Sequence, residues 1–390
     1  MYDIVVVGSG FSGSIIARKL AEECGKKVLL LEQRSHVGGN MYDERDERGI
    51  LIHKHGPHLI STNRYWIIEY LERYAELVPH NAKLLSFIDG KYVRLPFNFT
   101  TLQQLVSPEK VEGLLAKMRE VFAGRDRVSI FELVEHADTD IRDYGDMLFK
   151  KAYKTYIAKQ WGCSPSEIDR SVLERALMCI GYDERYLNKD FQRLPKYGFT
   201  KLFENMLDHP DITVKLNCNA FRHLTLDESS GTVFCDGVKY QQVIFTGAID
   251  ELLSEKFGRL PYRSIYFHYE VRRANDGLPC EIVSYPQAEG YTRRTEYRRI
   301  NYIPIETDDT VIVTEYPVIY DKDAEIGNLP YYPVLNVANT LLYQKYVHEA
   351  QKYSNLFLCG RLAEYKYYNM DAVIESTFEK FNLLKTKIDL

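Results

Sequence analysis

The chain has 390 residues, 45% hydrophobic and 27% charged, with a formal net charge of −5 at pH 7. That length suggests two or three domains, and the composition excludes a disordered polymer. The negative charge gives no drive toward nucleic acid, and no apolar run approaches the ~18 residues of a membrane span, so neither nucleic acid nor membrane insertion is expected.

Seven cysteines, at positions 24, 163, 179, 218, 235, 280 and 359, form no Cys-x-x-Cys pair. Neither a disulfide framework nor a metal site is expected. The chain runs from Met1-Tyr2-Asp3 straight into a strand without a basic leader, which predicts a cytoplasmic protein. The 30 tyrosines suit sugar and nucleotide pockets, and equally suit ordinary half-buried strands.

Residues 3–7 (DIVVV) are a short β-branched run ending in glycine, the pattern of a buried parallel strand. Helical spacing follows over 11–23, then a second buried strand over 27–31, completing a βαβ unit. Between its first strand and helix stands Gly8-Ser9-Gly10-Phe11-Ser12-Gly13, a G-x-G-x-x-G pattern in the context that gives it meaning. The first glycine permits the turn, the second admits a pyrophosphate, and the third lets helix and strand pack closely. Glu32 ends the second strand where a carboxylate can accept hydrogen bonds from ribose hydroxyls. NAD and FAD are not separated by this unit. Gln33, Arg34 and the second glycine pair Gly38-Gly39-Asn40, with a late strand running into Gly360-Arg361, look like the FAD-binding oxidase and mutase superfamily.

From about 102 to 184 apolar residues recur at threes and fours (Leu114, Leu115, Met118, Val121, Phe122; Ile130, Leu133, Val134; Met147, Leu148, Tyr153, Tyr156), predicting a helical domain. From about 262 to 316 aromatic and β-branched residues alternate with polar ones, including 297–302, predicting an antiparallel sheet. Residues 241–246 and 355–359 are again buried strands running into glycine. The expected fold is α/β: a discontinuous FAD-binding Rossmann-like domain (1–78, 197–258 and 339–390), a helical domain (98–190) and an antiparallel β-sheet domain (79–97 and 259–338).

The remaining motifs resemble the bacterial UDP-galactopyranose mutase family across nearly the whole chain and in the family's order. They are His55-Gly56-Pro57-His58, Leu95-Pro96-Phe97-Asn98, residues 156–162 (YIAKQWG), Tyr291-Thr292-Arg293, Tyr331-Tyr332-Pro333-Val334 and residues 360–368 (GRLAEYKYY). The resemblance implies a mutase that interconverts pyranose and furanose forms of a nucleotide sugar, with UDP-galactopyranose as the default substrate. It implies FAD, active when reduced, whose N5 attacks the anomeric carbon as the nucleoside diphosphate leaves, without net redox change. NAD(P)H is a candidate transient reductant, and a homodimer is expected.

Carried over by residue, the resemblance makes Arg175 and Arg293 the pair that grips the two phosphates. Two guanidiniums suit pyrophosphate, each charge-assisted contact being worth about 1.5–3 kcal/mol. Read alone, Arg175 is a solvated helix residue and Arg293 one member of a basic edge strand. Tyr156 and Trp161 border the nucleotide. Tyr186 is a uracil- or phosphate-side tyrosine, and Tyr332 and Tyr367 lie on the phosphate side. His58 stands beside the flavin, as a polarising or hydrogen-bonding group; read alone, it is a loop histidine.

Three departures from the family pattern bear on substrate. Asn369 stands where aspartate is usual. As a helix N-cap it exposes N–H groups near Met370 that are expected to meet the flavin pyrimidine oxygen. Ala176-Leu177-Met178-Cys179 replaces a segment that carries a second arginine in some relatives, and Ile282-Val283-Ser284 lacks an asparagine. A dTDP-fucopyranose mutase is the competing expectation within the class. Outside it stands a net oxidoreductase of the amine-oxidase type, which would have no need of paired arginines.

Overall fold

The computed structural model of the protein describes residues 1–162 and 177–388. Five strands form a parallel sheet in the order Ile212–Lys215, Val28–Leu31, Ile4–Val7, Gln242–Phe245 and Leu356–Leu358. Alternate side chains enter opposite cores. Ile4, Val6, Leu30 and Ile244 pack with the helices Phe11–Cys24, Phe199–Leu207 and Met370–Ile388, while Val5, Val7, Leu29 and Phe245 pack with Leu252, Tyr346 and Tyr353. Burial on both faces is why the three central strands read as near-continuous apolar runs. The first helix stops at Gly25, whose left-handed backbone (φ 60°) lets its N–H bond Leu20 O.

The helices Phe99–Leu105, Pro108–Val121, Ile130–Val134 and Thr139–Leu148 share a core of Leu102, Leu115, Met118, Ile141 and Leu148. Capping boxes start two of them, Asn98 with Thr101 and Ser129 with Glu132. The last continues through a π-helical stretch, Phe149–Lys154, into Thr155–Trp161. That wider turn shifts the phase of everything after it, so the 3.6 spacing does not carry through to Tyr156 and Trp161. Strands Arg127–Ser129 and Leu177–Cys179 pair within this region.

A seven-stranded sheet runs in the order Tyr332–Pro333, Tyr262–Arg273, Asp309–Ile319, Arg293–Glu296, Ile282–Ser284, Leu84–Ile88 and Lys91–Leu95. It departs from the expected antiparallel sheet at one pair, Leu84–Ile88 lying parallel to Ile282–Ser284. No hairpin joins these distant segments, so no turn fixes their direction. The alternation read over 297–302 also fails. Tyr297–Ile300 is a 3-10 turn with both end residues buried, a spacing of three that matches its three residues per turn. Among the described residues no helix is long and apolar enough to cross a membrane, and no His/Cys/Asp/Glu group could hold a metal.

Candidate active site

The carboxyl ends of the central parallel strands open into a cleft of about 870 Å³, within the range of cofactor sites. Gly8, Gly10, Phe11, Gly13, Glu32, Gln33, Arg34, Gly39, Asn40, Gly360, Arg361 and Met370 all line it. A Cβ on Gly13 would lie 1.9 Å from Gly8 O, so only glycine lets the helix sit this close. Gly10 faces open space, leaving backbone accessible. Glu32 is held by Ser9, whose N–H and Oγ–H donate to Oε2 at 3.0 and 2.6 Å, and by Arg34 N–H to Oε1 at 3.0 Å. Oε1 keeps one acceptor site free for a sugar hydroxyl, whereas Oε2 is filled by Ser9. Thr246, Gly247, Asn219 and Phe221 also line the cleft and were not foreseen. The glycine ending the strand at 241–246 was the available signal for the first two.

Arg34 Nη2 donates to Asn40 Oδ1 at 2.9 Å, and its Nη1 stands 3.4 Å from His55 Nε2. His55 Nδ1 shares a 2.6 Å hydrogen bond with Tyr331 OH, and burial among nearby cations pushes its pKa down to about 3. Arg361 is fixed by Tyr331 O (3.1 Å) and Tyr368 O (2.7 Å), with its guanidinium 5.9 Å from the Tyr332 ring centre.

His58, Tyr367 and Asn369 do not line the cleft itself. His58 N–H donates to His53 Nδ1 at 3.0 Å, while its own Nδ1 is buried with no hydrogen-bond partner among the described residues. Burial pushes its pKa well below the usual value, helped by the charges of Arg361 and Arg293, so the ring is neutral. Asn369 is exposed, and the helix Met370–Ile388 begins at the next residue.

Arg293 lies beyond His58. Its Nε is 2.6 Å from Glu315 Oε1, an ion pair without a well-directed N–H···O bond. Glu315 is buried at 3% side-chain exposure, which pushes its pKa up despite the arginine; burial is also the largest single effect on Arg293, but Glu315, Tyr156 and Tyr332 together outweigh it and keep the guanidinium charged. Tyr156, Tyr186 and Tyr332 feel the Arg293 charge. Burial raises all three hydroxyls, Tyr332 to about 12, which keeps them hydrogen-bond donors. Rings connect the group: Trp161 to Tyr367 at 6.0 Å, and Tyr367 to Tyr332 at 5.6 Å. Arg175 lies outside the described residues. Glu315 was missed by sequence reasoning. Its signal was a carboxylate in phase with the buried Val311 and Val313 on one strand.

Among the described residues, a dinucleotide cleft is thus joined by Arg293, whose charge reaches three tyrosines. A family model described as UDP-galactopyranose mutase matches residues 151–367, the segment that carries Arg293 and these tyrosines, and an NAD(P)-binding Rossmann-like model matches residues 6–74. The chain belongs to the UDP-galactopyranose mutase family. It is 34% identical over 382 residues to a dTDP-fucopyranose mutase of Escherichia coli, covering 97% of each chain. It is 31% identical over 382 residues to a UDP-galactopyranose mutase of Mycoplasma pneumoniae, covering 97% of this chain and 95% of that one. A crystal structure of reduced UDP-galactopyranose mutase shares the fold with a TM-score of 0.72 at 15% identity, covering 100% of this chain and 96% of that one. The protein is accordingly an isomerase of the flavin-dependent pyranose–furanose mutase type, and FAD is its cofactor. The residues present fit that group: the Gly10 backbone faces open space, Glu32 Oε1 keeps a free acceptor site, and buried His58 Nδ1 has no hydrogen-bond partner among the described residues.

Proposed function

We propose that the protein interconverts UDP-galactopyranose and UDP-galactofuranose as a cytoplasmic homodimer, with NAD(P)H as a transient reductant. The observation that carries this reading is the half-buried Arg293 guanidinium, held by Glu315 among three tyrosines beyond the dinucleotide cleft. An oxidase acting on an uncharged substrate has no use for such an anion site, whereas a departing diphosphate does.

When bound in its reduced form, the flavin supplies a nucleophile for the anomeric carbon, and the chain's residues do the rest. Gly8, Gly10, Gly13, Gly39 and Glu32 hold the dinucleotide, with Gln33, Arg34, Asn40, Gly360 and Arg361 along its length. Arg293, joined by Arg175, neutralises the diphosphate as its charge grows. Tyr332 and Tyr367 donate hydroxyl hydrogen bonds to phosphate oxygens, Tyr186 donates to uracil or phosphate, and Tyr156 and Trp161 border the nucleotide and shield it from water. Neutral His58 offers a hydrogen bond at the flavin edge, and the N–H groups at the Met370 helix start, beside Asn369, favour negative charge there.

A second reading, dTDP-fucopyranose as substrate, is favoured by the 34% identity to a mutase of that name. Of the departures at 282–284, Ile282 and Val283 are buried in the sheet, while Ser284 pairs with Arg293. Of these three, Ser284 is therefore the one placed directly beside Arg293. Incubating dithionite-reduced protein with UDP-galactose and dTDP-fucose in parallel decides between the two sugars. Furanose product from UDP-galactose is expected only after reduction; full turnover by the oxidised form, or product from neither sugar, would sink the reading.

A further inference from the structure

The Lys-Gln-Trp-Gly turn carries more than Trp161. Lys159 Nζ donates to Tyr285 O at 2.8 Å, Ala288 O at 2.7 Å and Tyr291 O at 2.7 Å. An ammonium has three donors, and here each meets a carbonyl. All three acceptors lie on the turn joining Ile282–Ser284 to Arg293–Glu296. The turn closes through Tyr285 N–H to Thr292 O at 2.8 Å, and Thr292 N–H bonds Glu315 O at 2.9 Å. Arg293 is the next residue, paired with Ser284 on one side and Glu315 on the other. One cation therefore holds together the loop from which the phosphate-side arginine emerges.

The same helix end is fixed from the opposite direction. Arg263 Nε donates to Gln160 O and Nη2 to Lys159 O, each at 3.0 Å. These are terminal carbonyls of the helix Thr155–Trp161, which lack partners within it. Gly162 ends the helix at φ 69°, and a Cβ there would lie 2.4 Å from Arg263 Nη1. Arg263 stands opposite Tyr332 in the sheet. The helix carrying Tyr156 and Trp161 is thus braced to the Arg293 turn by Lys159 and to the Tyr332 strand by Arg263.

We propose that Lys159 is a positioning residue for Arg293, its ammonium fixing the 285–291 turn and so setting the guanidinium against the helix that carries Tyr156 and Trp161. The proposal rests on the reading of Arg293 as the diphosphate ligand. The ammonium is answered by carbonyl dipoles, and desolvation pushes its pKa down to about 8, which still leaves it mostly protonated at neutral pH. A merely structural lysine would stabilise the fold without being coupled to the arginine.

The test is a double-mutant cycle on the flavin-loaded protein, with UDP alone as the titrant and the flavin spectrum as the control for cofactor retention. Lys159→Met is expected to keep the spectrum, weaken UDP binding at least fivefold and lower kcat at least tenfold, with a smaller change in KM. In the Arg293→Ala background the same substitution is expected to change UDP affinity less than twofold. Should Lys159→Met lose flavin, Lys159→Gln, which keeps an amide donor, carries the same cycle with a smaller effect. An equal loss of UDP affinity in both backgrounds, or no loss in either, overturns the proposal. If Arg293→Ala alone leaves UDP affinity unchanged, the diphosphate reading fails and the proposal falls with it.

Discussion

Arg293 Nε stands 2.6 Å from Glu315 Oε1, yet the carboxylate side chain is 3% exposed while the guanidinium side chain keeps 29% of its surface accessible. The pair is embedded at one end and open at the other, as suits a cation that must meet a ligand. Removing only the arginine strands a buried carboxylate. Arg293→Met should cost about 3 kcal/mol, the lower end for breaking a buried pair because the arginine is partly solvated. Arg293→Met with Glu315→Leu should recover most of that. Chemical denaturation of the singles and the double measures it, and strictly additive losses would show that the two charges do not interact.

Activity should not follow stability. Arg293→Ala should lower kcat tenfold or more, since at least ~1.5 kcal/mol of charge-assisted bonding to the leaving group is lost. Arg293→Lys should recover part of it, because an ammonium keeps the charge but not the planar fork. The stability-restored double variant should stay as slow as Arg293→Ala. Steady-state turnover of reduced protein reads all three, and normal turnover in any variant lacking the arginine would remove its assignment to the diphosphate.

Gly56 backs onto the same pair. Its φ is 89°, and a Cβ there would sit 3.3 Å from Arg293 Nη2 and 3.5 Å from Glu315 Oε1. Gly56→Ala should therefore cost about 1–3 kcal/mol in backbone strain. It should also crowd the guanidinium, so UDP affinity should fall while the flavin spectrum holds. Unchanged UDP binding in a destabilised Gly56→Ala would mean the strain is not passed to Arg293.

Legibility in the sequence followed how local each determinant was. The βαβ unit and its glycines could be read because strand, turn and helix lie within the first 32 residues and each glycine answers a local need, as at Gly13. The phase shift at Phe149–Lys154 could not, since a π-helical stretch has no apolar period of its own. The parallel pairing of Leu84–Ile88 with Ile282–Ser284 depends on contacts far apart in the chain. In the site, the tyrosines and Arg293 were reached through motif resemblance, whereas Glu315 and Arg263 look like ordinary polar members of alternating strands. Tertiary partners distinguish them, among them Arg293 for Glu315 and Lys159 and Gln160 for Arg263.

The loop histidines make an acid-side prediction. Burial, with the charges of Arg34, His36 and Lys54, pushes His55 down to about 3, and His53 and His58 are lowered in the same sense. In the unfolded chain each titrates near its ordinary value of about 6.5. Below that pH the unfolded state binds protons that the folded state refuses, so stability rises with pH across this window. His55 therefore contributes stability that is fully present above about 6.5 and is lost as pH falls toward 3. His55→Gln should reduce the proton uptake on unfolding between pH 4 and 6 by about one proton. Losing the Tyr331 hydrogen bond shifts the whole stability curve but not its slope, so the slope isolates the titration. Denaturation free energies measured across that range check it. An unchanged slope would mean that folded His55 is already protonated, a state that the adjacent Arg34 guanidinium, 3.4 Å from its Nε2, disfavours.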